Sequence, residues 1–400
     1  MAAFSKASVR DAEVGGRTVL VRADLNVPLD GSSVADDTRI RAALPTIELL
    51  RERGAKVVLC SHLGRPKGRD ESLSMAPVAA RLGELLGTEV ALAPDVVGAE
   101  VEAAVEGLGD GDVLLLENTR WEDGEKKNDA DLARGLAQIA DLYVNDAFGA
   151  AHRAHASTAG VAEHLPAYAG LLLERELNEL GAVLESPKRP LVVVVGGAKV
   201  SDKIEVIDRF LEIADTLLIG GAMAFTFFRA QGIATGNSLV EEDGIALAER
   251  ALEQAKTSDC ELVLPIDLVL GAEFSADAEP TELDGVEVPD GQMGLDVGPR
   301  TAEKYAEAID GAGTVFWNGP MGAFELEPFA GATKRVAEAM ASTDATTVVG
   351  GGDSGAALAK FGLGDQVDWL STGGGASLEL IEGKKLPGVE ALDDAAEGSN

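Results

Sequence analysis

The strongest constraint on this fold is a rhythm. Short runs rich in β-branched residues and leucine end in a glycine-rich or polar corner, and an amphipathic helical pattern follows. The runs are Thr18–Ala23, Lys56–Cys60, Val113–Leu116, Leu142–Val144, Leu191–Val195, Thr216–Ile219, Glu261–Leu264, Thr314–Trp317, Thr346–Val349 and Val367–Leu370. Near-continuous apolar strands alternating with helices must be covered on both faces, which predicts mainly parallel sheets of the α/β class. Ten runs in 400 residues exceed one compact sheet, so two sheets in two domains are expected. Leu173, Leu177, Leu180 and Leu184 recur at helical spacing before Ser186–Pro190 breaks the pattern. A helix over 171–185 therefore leaves a first domain, 1–170, and enters a second, 186–385. Asp284–Gly298 reads as an irregular excursion, and the last stretch, from Gly383, is too short for a domain.

Charge narrows the function. The chain has 68 acidic and 34 basic residues, a formal −34. Such a surface disfavours nucleic acid and anionic membranes as partners, and it matches the dense acidic solvation of halophilic proteins. No apolar run approaches membrane-spanning length, and the N-terminus lacks an apolar signal core. Cys60 and Cys260 sit far apart in strand-like runs and read as core thiols in a reducing compartment. A soluble, cytoplasmic protein is expected.

Ligands of open α/β sheets bind beyond the carboxyl ends of strands, so the exit corners carry the chemistry. In the first half they are Arg22–Pro28, Ser61–Pro66, Glu117–Trp121 and Asn145–Ser157. They hold Arg22, Arg65, Arg120, Arg153, His62, His152 and His155, and Arg39 opens a helix just beyond them. Cations gathered in so acidic a chain point to an anionic ligand, because arginine forks bind carboxylate and phosphate. Arg22 and Arg41 singly read better as surface ion pairs. The second-half corners, Gly196–Lys203, Gly220–Phe225, Trp317–Glu325, Gly350–Gly355 and Ser371–Ser377, are dominated by glycine. Backbone N–H groups and helix ends would bind there. Lys199 and Lys203, four apart at a helix start, are expected on one face. Asp353 could cap its helix or ligate Mg²⁺ beside a phosphate, and position leaves both open. Gly350, Gly352 and Gly355 spell G-x-G-x-x-G, a weak dinucleotide signal so near the C-terminus. A nicotinamide dehydrogenase and a non-catalytic two-domain binding protein are the competing readings. No P-loop, zinc spacing or G-x-S-x-G corner occurs.

Together the corners RADLNVP, SHLGRP, ENTRW, NDAFGAAHRAHAS, GGAKVSDK, MGLDVGP, WNGPMGAFE, GGGDS and STGGGAS closely resemble the phosphoglycerate kinase family, in order and spacing over nearly the whole chain. The resemblance implies two Rossmann-like domains joined by a hinge helix, with the tail 386–400 returning to the first. It implies that 3-phosphoglycerate or 1,3-bisphosphoglycerate binds at Asp24, Leu25, Asn26, Arg39, His62, Leu63, Gly64, Arg65, Arg120 and Arg153. ATP or ADP with Mg²⁺ would bind through Lys203, Glu325, Gly351, Gly352, Asp353 and Ser354, with Asp353 on the metal. Arg39, Lys199, Lys203, Gly352 and Gly375 would stabilise the phosphoryl group in transfer, and a monomer is expected. Three positions depart from the family pattern: Trp369 for a usual histidine, Gln292 for a common tryptophan, and Leu25 for phenylalanine.

Overall fold

The computed structural model describes residues 5–395. The described residues form two compact units, 5–178 with 384–395, and Glu179–Gly383. The division falls inside the helix Leu171–Glu185.

The first unit is built on a six-stranded parallel sheet. Its strands run, in spatial order, Val90–Leu92, Val113–Leu115, Lys56–Cys60, Thr18–Arg22, Leu142–Asn145 and Ala167–Ala169. Ile40, Ala43, Ile47 and Leu50 recur every three or four residues along the helix Thr38–Glu52, and this stripe packs on Val19, Val21, Val57 and Leu59. The two outermost strands were not expected. Each has three residues with alanine among them, too short and too little β-branched to stand out. The chain's end belongs to this unit: Asn145 Nδ2 donates to the Gly388 carbonyl at 3.0 Å, and Ala7 N to the Asp393 carbonyl at 2.8 Å. Asp146 Oδ1 accepts from the N–H groups of Leu172 and Leu173 at 2.9 and 3.3 Å, satisfying orphan donors at the start of Leu171–Glu185.

The second unit has its own six-stranded parallel sheet, ordered Glu261–Val263, Thr216–Ile219, Leu191–Val195, Thr314–Asn318, Thr346–Gly350 and Trp369–Leu370. Numbered within the sheet, that order is 3-2-1-4-5-6, the doubly wound arrangement, which reverses between Leu191–Val195 and Thr314–Asn318. Beside it Thr281–Leu283, Leu268–Gly271 and Met293–Val297 form a small antiparallel sheet. The expectation of an irregular Asp284–Gly298 is corrected here, because Met293–Val297 is a strand. Its glycine and aspartate mask the alternation, and its partner Leu268–Gly271 is remote in sequence. Leu25 lies in the first unit's core and Trp369 in an edge strand of the second, both buried. No helix among the described residues is long and apolar enough to cross a membrane.

Candidate active site

In the first unit the strand order reverses around Thr18–Arg22, flanked by Lys56–Cys60 and Leu142–Asn145. The exit corners of Thr18–Arg22, Lys56–Cys60 and Val113–Leu115 lock together. Asn26 Oδ1 accepts from Gly64 N at 2.8 Å, Leu25 N donates to Ser61 Oγ at 2.9 Å, and Leu63 N to Asn118 Oδ1 at 3.1 Å. The Leu25 and Leu63 side chains enter the core, so these residues shape the corners from beneath. Arg39, second residue of its helix, donates to the Asn26 carbonyl at 3.0 Å and lies 3.4 Å from Asp24 Oδ1. Arg65 and Arg153 are exposed, whereas Arg120 is only 8% exposed. Arg120 Nη1 donates to the Gly64 carbonyl, and its Nε is buried without a partner. Burial, and then the charges of Arg153 and Arg22, lower the Arg120 pKa against the opposing pull of Glu125. Cations that disfavour one another's charge are an arrangement that a nearby anion would stabilise.

Arg22 corrects an expectation. It is 0% exposed, not a surface ion-pair residue, because it ends a central strand with neighbours on both sides. Nε donates to Ser157 Oγ at 2.9 Å, Nη1 to the Ala23 carbonyl, and Nη2 lies 2.9 Å from His62 Nδ1. Arg41 does pair on the surface, with Asp37 at 2.8 Å. Beneath the corners Glu125 is fully buried and accepts from Ser157 N at 3.0 Å and Ser157 Oγ at 2.6 Å. In sequence Glu125 sits in a charged EDGEKK run that looks like solvated loop, so nothing marked it. Burial, reinforced by Arg22, Arg120 and neighbouring cations, holds His62 well below the usual histidine range and brings His155 down to about 4.

The second unit's site lies at its own order reversal. A Cβ on Gly196 would lie 2.0 Å from the Pro320 carbonyl oxygen, and one on Gly319 would lie 2.2 Å from the Gly196 oxygen. Glycine at both lets the two corners touch. Lys203 stands at the N-cap position of the helix Ile204–Ile213, and its Nζ donates to the side-chain oxygen of buried Asn318. Burial lowers the Lys203 pKa, and Asp353 is the foremost charge opposing that shift. Lys199 is exposed in the turn before this helix, so the expected shared helix face is not formed. The turn closes through Lys203 N to the Val200 carbonyl at 3.0 Å and is pinned by Glu241, which accepts from Ser201 N at 3.0 Å. Asn318 and Glu241 carried no sequence signal of their own.

The strand Thr346–Gly350 passes through Gly351, with φ +91°, into the helix Gly352–Phe361. Buried Ser354 accepts from Gly319 N at 2.6 Å through Oγ, joining this turn to the Asn318 corner. Gly351, not Asp353, occupies the N-cap position, and exposed Asp353 stands in the first turn without a capping bond. A cavity of about 550 Å³ runs alongside, lined by Phe225, Leu239, Phe274, Leu295, Glu325 and Asp353 among others. Leu239 and Phe274 are 59% and 65% exposed, large apolar side chains at the rim of a concave, mostly apolar site. Gly375, also exposed, opens the helix Gly375–Ile381 after Gly374. Among the described residues no three His, Cys, Asp or Glu gather to hold a metal. A cation here would rely on one carboxylate, ligand oxygens and water, a donor set that suits Mg²⁺.

The chain matches the family model for phosphoglycerate kinase over residues 9–384. It is 56% identical over 392 residues to the phosphoglycerate kinase of Moorella thermoacetica, covering 98% of this chain and 100% of that one. Against the cytosolic phosphoglycerate kinase of Triticum aestivum it is 54% identical over 396 residues, covering 98% and 99%. The structure of phosphoglycerate kinase from Coxiella burnetii superposes with a TM-score of 0.89 at 40% identity, over 96% of this chain and 98% of that one. The two parallel sheets, the order of corners and these full-length matches agree: the chain belongs to the phosphoglycerate kinase family.

Proposed function

We propose that the chain transfers a phosphoryl group reversibly between 1,3-bisphosphoglycerate and ADP, giving 3-phosphoglycerate and ATP. The observation that carries this reading is the contrast between two sheet ends. One crowds arginines against each other around a buried, unpartnered Arg120 Nε. The other pairs an apolar cavity with a glycine turn, a half-buried lysine and an exposed acid. The phosphoglycerate fits the first, through Asp24, Asn26, Arg39, His62, Arg65, Arg120 and Arg153. The nucleotide fits the second, its base in the cavity, its ribose hydroxyls on Glu325 and its phosphates on Gly351–Ser354 and Lys203.

In the ATP-consuming direction a carboxylate oxygen of 3-phosphoglycerate attacks the terminal phosphorus in line, and the bond to ADP breaks. No side chain serves as nucleophile, so catalysis consists of positioning and charge cancellation. Arg39, Lys199 and Lys203 act on the phosphoryl oxygens, with N–H groups from the helix starts at Gly352 and Gly375. Asp353 would hold Mg²⁺, which supplies neutralisation of nucleotide phosphate charge when bound. Two half-sites in separate units imply a hinge closure that brings the ligands together and excludes water. The −34 charge supports a halophilic setting, and the reading includes a cytoplasmic monomer. A coupled assay with 3-phosphoglycerate, ATP and Mg²⁺, run from low to molar salt, tests the reaction. Turnover that needs all three is expected, and its absence at every salt concentration rejects the proposal.

A further inference from the structure

Arg22 does more than fill the core. A guanidinium has five N–H donors and no acceptor, whatever the pH in the working range. Its Nη2 lies 2.9 Å from His62 Nδ1, so this contact is a hydrogen bond only when Nδ1 carries a lone pair. The ring proton then has one place left, Nε2. We infer that Arg22 is a positioning residue that locks His62 in the neutral Nε2–H tautomer, so that His62 offers the anionic substrate an uncharged hydrogen-bond donor. The substrate half of this inference rests on the reading of His62 as a phosphoglycerate contact.

Arg22 is itself held with a fixed polarity. Ser157 Oγ accepts from Arg22 Nε at 2.9 Å and spends its only proton on Glu125 Oε1 at 2.6 Å. Donation therefore runs from Arg22 through Ser157 to Glu125, and reversing it would leave a buried group unpaired. His62 Nε2 makes no hydrogen bond among the described residues, although the ring is almost buried. The cations whose charge bears on the ring are Arg22, Arg120 and Arg39, and His155, itself brought down to about 4, adds no charge in the working range. The acids on surrounding elements are engaged elsewhere: Glu125 with Ser157 and Thr119, Asp24 with Arg39. An arriving anion thus finds positive charge already supplied by arginine, and His62 adds direction without charge.

Proton–nitrogen correlation spectra of the ¹⁵N-histidine-labelled full chain test this directly. The sequence has four histidines, His62, His152, His155 and His164, and His62→Gln identifies the relevant signals. The wild type should show His62 Nδ1 as an unprotonated imine nitrogen and Nε2 as protonated, unchanged between about pH 5.5 and 8. Arg22→Met should produce a tautomer mixture that titrates, and weaken 3-phosphoglycerate about three- to tenfold, the effect of one misdirected hydrogen bond. His62→Gln, whose amide nitrogen reaches the Nε2 position, should bind the substrate better than His62→Asn. A protonated Nδ1 in the wild type overturns the inference, and that readout stands even where Arg22→Met fails to fold. An Nε2 signal that 3-phosphoglycerate leaves unmoved overturns the substrate contact alone, leaving the tautomer assignment in place.

Discussion

Gly351→Ala probes the turn on which the proposed nucleotide site depends. Gly351 adopts φ +91° and ψ 147° between a strand and a helix. Holding an L-residue in such a sparsely populated region costs about 1–3 kcal/mol. The added Cβ would also lie 2.9 Å from Asn318 Nδ2, closer than a side chain tolerates. Asn318 is buried and its Oδ1 receives Lys203, so yielding to that methyl means turning Asn318 away and releasing the lysine. Together the terms predict a loss of about 2–4 kcal/mol in stability. They also predict about tenfold weaker nucleotide binding, the value of one charge-assisted hydrogen bond. Trp317 and Trp369 lie in this unit, so urea unfolding followed by tryptophan fluorescence reports the first quantity, and calorimetry with ADP and Mg²⁺ the second. Gly352→Ala is the stability control. A Cβ there meets nothing within 4 Å, and unfolding should move by no more than about 0.5 kcal/mol. Equal unfolding midpoints for the two variants would refute the reasoning from backbone strain and contact.

Arg39→Ala should cut turnover about 100- to 1000-fold, the loss expected for one preorganised charge at a transferring group, while the melting temperature holds. Its side chain is 40% exposed, so removal opens no core cavity; wild-type-like turnover would take Arg39 out of the mechanism. Asp146→Asn tests a buried carboxyl whose pKa burial raises from 3.8 to about 7. The native state then holds a proton the unfolded chain has lost, so wild-type stability falls as pH rises between those values. Asparagine can still accept from Leu172 N and Leu173 N, so the variant's advantage should grow across that window by up to about 4 kcal/mol. A pH-independent difference between variant and wild type would show that Asp146 does not titrate there. Stability should also rise with molar salt as the −34 charge is screened, and a chain equally stable at low ionic strength would exclude halophilic adaptation.

What could be read without coordinates follows from where information is local. Central strands such as Leu191–Val195 are buried on both faces, so every residue must be apolar and the run announces itself. Glycine corners announce themselves too, because Gly196 and Gly319 are required by a neighbour that no side chain could accommodate. Edge strands such as Val90–Leu92 are half-exposed and need no such purity. The Lys199–Lys203 segment had a helical spacing but folds as a turn, because Glu241, from a remote stretch, takes its Ser201 N–H. Arg22 and Arg39 make the same point most sharply. Both follow short apolar or acidic stretches and look alike as isolated letters, yet one is entombed and the other faces solvent. The difference is strand order: Thr18–Arg22 lies between two other strands, and its last side chain has nowhere to go but inward. Strand order is a pairing of distant segments, which local composition does not encode. A charge forced inward must then be given partners, and the partners it took, Ser157, the Ala23 carbonyl and His62, tie a buried residue to the histidine we propose as a substrate contact.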